Sequence, residues 1–334
     1  MYYLHVKNIN DDIVSKSFVI DVDNANASLY IMNLAENNTN EIRIDEHEPT
    51  GQQTFAAKEY RYYGSNPNNY VQFNNELWRI IGEIDVDDGL GNVEKRLKII
   101  RPNPIGAYSW DSSDDYTNKG YGINEWSQAD LMTLLNSSGL YFNRRTGTCY
   151  YANGNRTKAC DFTTTGLTSE AKEMIGYAKW YLGAASKSYS SLTAADFYEH
   201  ERGTTSGKQC ITSTYCDDSV TRRIIWTGQI GLIYPSDYGY SVDMTSCSTT
   251  PLASYSLSCK DSTWLYNSTN SSWTLNPIHD TSYASKVFFL SSSGSLSNND
   301  SYGTYSVSPV TYLKSNIQIV DGKGTDQEPF ILSK

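Results

Sequence analysis

Short apolar, β-branched runs separated by polar loops dominate the chain, and only three stretches switch to helical spacing. The firmest strand signal is Glu76-Leu77-Trp78-Arg79-Ile80-Ile81-Gly82-Glu83-Ile84, followed by a second such run over residues 93–101. The Asp- and Gly-rich segment between them predicts a hairpin with a long turn. That turn does not fit a calcium-binding EF-hand loop, because Gly89 takes a ligand position and no acid closes it at the right distance. Further strands are expected near residues 17–23, 41–45, 223–234, 286–290 and 307–313, and residues 28–32 read as a strand or a helical turn. A polar loop is expected over residues 291–302. Helices are expected over residues 124–135, with Asn124 as cap, and over residues 168–182. In the latter Thr168 caps, Ala171, Met174, Ile175, Ala178, Tyr181 and Leu182 form one stripe, and Gly183 ends it. A third, short helix is expected over residues 193–201. Two main helices within a mixed, mostly antiparallel sheet with long loops make an α+β class. Residues 46–53 are acidic, contain Pro and read as a linker. Residues 1–57 are therefore expected to be an arm or small β subdomain, and residues 58–334 the main domain.

The six cysteines fall into three close pairs: Cys149 with Cys160, Cys210 with Cys216, and Cys247 with Cys259. Proximity suggests this pairing among the 15 that six cysteines allow. Each pair sits in a stretch rich in Ser, Thr, Asn, Gly and Tyr, where little core is available and a covalent loop would be useful. Zinc is the rival reading, but there is no Cys-x-x-Cys, and His5, His47, His200 and His279 are scattered. Disulfides place the expectation outside the cytosol, at an extracellular or cell-surface location.

Composition narrows the partners. The chain has 334 residues, a formal charge of −10 and 39% apolar residues, enough for a core. With a pI near 4.9 it lacks the clustered cations that nucleic acid requires. Mean hydropathy is −0.52, and no apolar run approaches the roughly 20 residues of a membrane span. The start, Met1-Tyr2-Tyr3-Leu4-His5, has neither the basic region nor the apolar core of a signal peptide, so an exported form would already have lost one.

Several strings carry a resemblance: Tyr60-Arg61-Tyr62-Tyr63-Gly64, Asn66-Pro67-Asn68-Asn69-Tyr70-Val71, Leu77-Trp78-Arg79-Ile80-Ile81-Gly82, Trp126-Ser127-Gln128-Ala129-Asp130-Leu131, residues 231–240 with Pro235-Ser236-Asp237-Tyr238-Gly239, and Pro309-Val310-Thr311-Tyr312-Leu313. Together they resemble a family of exported surface proteins of gut Gram-positive bacteria, over roughly residues 58–334. The order of elements resembles a divergent C-type-lectin-like fold, which formylglycine-generating (sulfatase-modifying) enzymes also use. The resemblance implies a surface-exposed domain with a loop face that binds ligands. Two departures matter: Ser308 stands where such proteins usually carry Arg, and Cys247 and Cys259 read as a loop disulfide rather than a reactive pair.

No nucleophile motif, P-loop or dinucleotide fingerprint occurs. His279 is the only His beside an acid, Asp280, and adjacency in sequence does not make a catalytic pair. A non-catalytic, adhesin-like binding role without a required cofactor is therefore expected, the ligand being a glycan or a surface protein. A pilus or filament subunit is the alternative, with self-assembly through the N-terminal arm. A carbohydrate-active enzyme is a third possibility, because two acids can meet in a cleft without a motif. Tyr and Trp combine an apolar face with a polar tip, so the candidate ligand-binding residues are Trp110, Tyr116, Tyr121, Trp264, Tyr266, Trp273 and Tyr302, with Trp264 and Trp273 as an exposed pair. Asp237 joins them from the recognisable string. Asp111, Asp114 and Asp115 are the candidate Ca²⁺ ligands.

Overall fold

The computed structural model describes residues 26–37, 41–112, 121–152, 156–208, 218–280 and 284–334, and the backbone of residues 2–7 and 13–18. It is a mixed α+β structure, mostly sheet. Its largest sheet has nine strands among the described residues. The spine is Glu76–Asp87, buried along nearly its whole length, as a strand covered on both faces must be. Val93–Ile100 pairs antiparallel along one edge. The other edge is shared: Tyr70–Phe73 takes the first half and Ala57–Tyr62 the second. Outside Val93–Ile100 lie Val310–Tyr312 and then Ile230–Gly231. Outside Tyr70–Phe73 the last strand, Phe330–Ser333, enters in parallel and carries Gln318–Asp321 on its far side.

A second sheet centres on Ser272–His279. Lys286–Leu290 and Leu296–Asp300 extend it on one side, Thr304–Ser306 and Ala107–Ser109 on the other. Trp273, Phe289 and Tyr305 pack as one aromatic group there, with ring centroids 4.2–6.2 Å apart.

The hairpin over residues 76–101 forms as its pattern predicts, and the helix over residues 193–201 appears as Ala194–Arg202, closed by a reciprocal Thr193/Asp196 cap. Other elements differ. Residues 28–32 lie in the helix Ala27–Glu36, whose Ala27 and Ile31 are buried against the main sheet. The expected long helix ends at Met174. Its continuation is captured by the closing strand: Gly176 N–H donates to the Tyr312 carbonyl, Lys314 N–H to the Met174 carbonyl, and Ala178–Tyr181 becomes a strand. Asn124 is not a cap but a buried hub. Its amide donates to the Ile278 and Lys286 carbonyls, its oxygen accepts from Arg222, and the helix itself covers only Asp130–Asn136. The expected loop over residues 291–302 holds the strand Leu296–Asp300. The boundary expected after residue 57 falls within paired strands, because Ile42–His47 pairs with Ala57–Tyr62 and Ile42 joins the same core.

Cys149–Cys160 bridges the hairpin of Thr146–Tyr150 and Thr157–Asp161, and Cys247–Cys259 closes a loop of short helices. The expected Cys210–Cys216 pair lies outside the described residues. No described helix is long and apolar enough to cross a membrane.

Candidate ligand cleft and the ionic network behind it

A cleft of about 310 Å³ opens where the two sheets meet. Tyr70, Leu77, Arg79 and Ile100 come from the main sheet, and Trp273 and Leu290 from the second. Residues 264–270 supply Trp264, Leu265, Tyr266, Asn267 and Asn270; Asn103, Ser291 and Ser308 add polar groups at the rim. Its size is at the low end of ordinary small-molecule sites, roughly 300–1,000 Å³. Among the described residues its lining contains no carboxylate, imidazole or thiol. It offers aromatic faces, amides, hydroxyls and one guanidinium.

Trp264, Trp273 and Tyr266 are each fixed by the polar tip of the side chain. Trp264 Nε1 donates to the Tyr62 carbonyl at 3.1 Å and Trp273 Nε1 to the Tyr108 carbonyl at 3.0 Å. The Tyr266 hydroxyl donates to the Ser292 carbonyl at 3.1 Å. The turn that follows is braced by Asn267, whose Oδ1 accepts from the backbone N–H groups of Thr269 and Asn270.

Behind the cleft lies a buried ionic network. Register explains it: Arg61, Gly82 and Lys98 stand side by side across three strands. Side chains directly opposite in a ladder share a face, so Arg61 and Lys98 flank a position that carries no side chain. A Cβ on Gly82 would lie 2.5 Å from the Tyr60 carbonyl oxygen, so a side chain there would push the strands apart. Asp237, from the helix Pro235–Tyr240, bridges the two cations: Arg61 Nη1 donates to it at 2.8 Å and Lys98 Nζ at 2.6 Å. It also accepts the Tyr234 N–H at 2.9 Å, capping its own helix. Burial alone would raise the Asp237 carboxyl; Lys98 and Arg61 outweigh it and hold the group below its usual value. Burial pulls Lys98 down to about 8 against the pull of Asp237, and its ammonium lies 4.1 Å from the Tyr234 ring centroid. The network continues through Glu59, which receives Arg61 at 2.5 Å, and through Arg202, stacked 3.3 Å from the Tyr198 ring centroid. Glu201 accepts the Ser236 N–H and hydroxyl at 2.7 and 2.5 Å, and burial pushes it up to about 7. Tyr238, the next residue after Asp237, lines the cleft. The charges therefore anchor a helix that forms part of the cleft wall.

Glu83 is the exception in this region. It is buried, neither carboxyl oxygen makes a hydrogen bond, and Lys95 approaches only to 3.4 Å. Burial pushes it up to about 8. A carboxyl that keeps its proton in the folded state up to about pH 8, but loses it near 4.5 when unfolded, subtracts stability as pH rises between those values. Glu83→Gln is therefore expected to flatten the fall in stability between pH 5 and 8. Urea midpoints of both proteins across that range give the check; parallel pH profiles would refute it.

The expected site residues separate into groups. Trp264, Tyr266 and Trp273 come together in the cleft, but Trp264 and Trp273 are 8% and 1% exposed, so they form walls rather than the exposed pair expected. Both indoles are drawn inward by carbonyl acceptors in the core. Trp110 is wholly buried, donates to the Thr274 carbonyl and packs on Trp126, so it is core rather than ligand surface. Tyr121 and Tyr302 are half-buried and pair with each other at 5.6 Å, away from the cleft lining. Asp237 is buried and belongs to the ionic network. Asp111 is also fully buried, its oxygens accepting the Ile123 and Asp130 N–H groups, which pins a loop rather than presenting a surface carboxylate to a metal. Among the described residues no cluster of three metal-ligating side chains occurs. Tyr116, Asp114 and Asp115 lie outside the described residues. Tyr70, Arg79, Asn103 and Tyr238 were not anticipated as cleft residues. Arg79 gave a signal, a lone cation inside the apolar run Leu77-Trp78-Arg79-Ile80-Ile81.

No protein-family model, curated protein or solved structure matches the chain.

Proposed function

We propose that the chain is a non-catalytic, extracellular ligand-binding domain of adhesin type, with a C-type-lectin-like arrangement, that holds a glycan in the cleft between its sheets. The observation that carries this reading is the cleft lining: Trp264, Trp273, Tyr266 and Tyr70 beside Asn103, Asn267, Asn270, Ser291 and Ser308. Aromatic faces suit the apolar C–H faces of a sugar ring, and amides and hydroxyls suit its hydroxyl groups. The described lining residues include no carboxylate pair of the kind that glycosidic hydrolysis uses, which favours binding over hydrolysis. The disulfides fit an oxidising compartment. The test is binding of the purified chain to a glycan array, followed by calorimetry on the best ligand. Tyr266→Ala is expected to weaken that ligand about five- to tenfold while shifting the melting temperature little, because the ring is half-buried and holds one hydrogen bond. Unchanged affinity would move the site away from this cleft.

A second reading, a filament subunit, rests on the N-terminal hairpin. Tyr2–Lys7 and Ile13–Phe18 pair with each other and with no other described strand, leaving edges that another chain could extend. Size-exclusion chromatography with and without residues 1–25 separates the two readings: oligomers lost on truncation favour assembly.

A further inference from the structure

Among the described residues the cleft lining carries one charge, Arg79, and no counter-ion for it. Arg79 is 6% exposed. Its Nε donates to Asn69 Oδ1 at 2.6 Å and its Nη2 to the Pro67 carbonyl at 3.0 Å, both neutral acceptors. No Asp or Glu among the described residues pairs with it, and Nη1 makes no hydrogen bond to them. Arg101, next in sequence to Ile100, the residue paired with Arg79, shows the contrast: Glu76 grips it at 2.8 and 2.6 Å. The Arg79 guanidinium is held between two rings, with its carbon 4.3 Å from the Tyr70 centroid and 4.5 Å from the Trp264 centroid. Burial pulls it down to about 10, as expected of a cation taken from water without a carboxylate partner.

Such a group is costly to bury, and proteins normally pair it. Two ring faces and two neutral acceptors compensate in part and fix the guanidinium plane. What remains is an edge facing a cleft of aromatic and amide groups. An arriving carboxylate would satisfy that edge with a charge-assisted hydrogen bond in a partly desolvated site, where it is stronger than at an open surface.

We infer that the ligand is a sugar acid, its carboxylate taken by Arg79 and its ring lying against the Trp264 and Tyr266 side of the cleft. This rests on the glycan-binding reading above. The net charge of −10 gives no long-range attraction for anions, so the preference is local to the guanidinium.

Paired ligands test the inference on the unaltered chain. A sialylated oligosaccharide and a galacturonate oligomer are each compared by calorimetry with their carboxyl-reduced counterparts. The acid form of one pair is expected to bind at least about tenfold tighter, and which pair does so separates a sialic acid from a uronate. Raising the salt concentration is expected to narrow that gap. Arg79→Gln is expected to abolish the difference between acid and reduced forms, and Arg79→Lys to retain part of it. Both variants need a wild-type-like melting profile to count, and the ligand pairs decide the matter if they fail to fold. Equal or tighter binding of the reduced forms would overturn the carboxylate assignment and leave the glycan reading standing. Binding of neither member of either pair, together with a blank array, would overturn both.

Discussion

Asp237→Ala is expected to cost about 3–5 kcal/mol of stability, the range seen when one partner of a buried charge group is removed. The carboxylate is fully buried and touches two buried cations, Lys98 at 2.6 Å and Arg61 at 2.8 Å. Removing it leaves both cations short of a counter-charge in the core and frees the Tyr234 N–H that it caps. Arg61 retains Glu59, so the greater share of the loss falls on Lys98. Adding Lys98→Met to Asp237→Ala should therefore restore part of the stability, the sign of a coupled pair in a double-mutant cycle. Urea unfolding at constant m-value is the measurement. A single variant within about 1 kcal/mol of the parent would show that the network is far better solvated than its burial indicates. The pH dependence has a definite sign. A carboxyl held below its unfolded value stabilises above the usual carboxylate range, and that contribution is lost as pH falls through the lowered folded value.

Replacing Cys247 and Cys259 together by Ser is expected to cost about 2–3 kcal/mol, the chain-entropy value for a loop of this size. The sequence separation is 12 residues. The bridged segment leads directly into residues 264–270, which form one wall of the cleft. The same variant should therefore lose affinity for any cleft ligand, as the wall segment gains freedom that binding must remove. Thermal unfolding and calorimetry on one preparation give both readouts. Unchanged stability would mean that packing of Leu252 and Tyr255, both fully buried, holds the loop without the bridge.

The local chemistry of the chain was readable wherever one segment decides its own fate. The hairpin over residues 76–101 combines β-branched runs with an Asp-Gly turn, and no tertiary contact contradicts it. Thr193 and Asp196 cap their helix within four residues. The stripe over residues 168–182 was equally regular but misleading. The closing strand, well over a hundred residues later, takes the backbone groups at residues 174 and 176, and sheet pairing overrides helical propensity. The ionic network was invisible for a related reason. Glu59, Arg61, Lys98, Arg202 and Asp237 are spread over most of the chain, and each alone resembles a surface charge. Only the register that sets Arg61 and Lys98 on either side of Gly82 brings the two cations within reach of one carboxylate, Asp237. The cleft was legible in part, because Trp264, Tyr266 and Trp273 are close in sequence, whereas Tyr70 and Arg79 reach it from another sheet.

Both described disulfides join cysteines that are nearest neighbours in chain order, 11 and 12 residues apart. A chain emerging end-first into an oxidising environment can close each of them before later cysteines arrive to compete. Closure of these two bridges is then largely independent of how far the two sheets have assembled. The bridges can form as early local fasteners, leaving the slow step to the non-local sheet pairing that brings Phe330–Ser333 back beside Tyr70–Phe73.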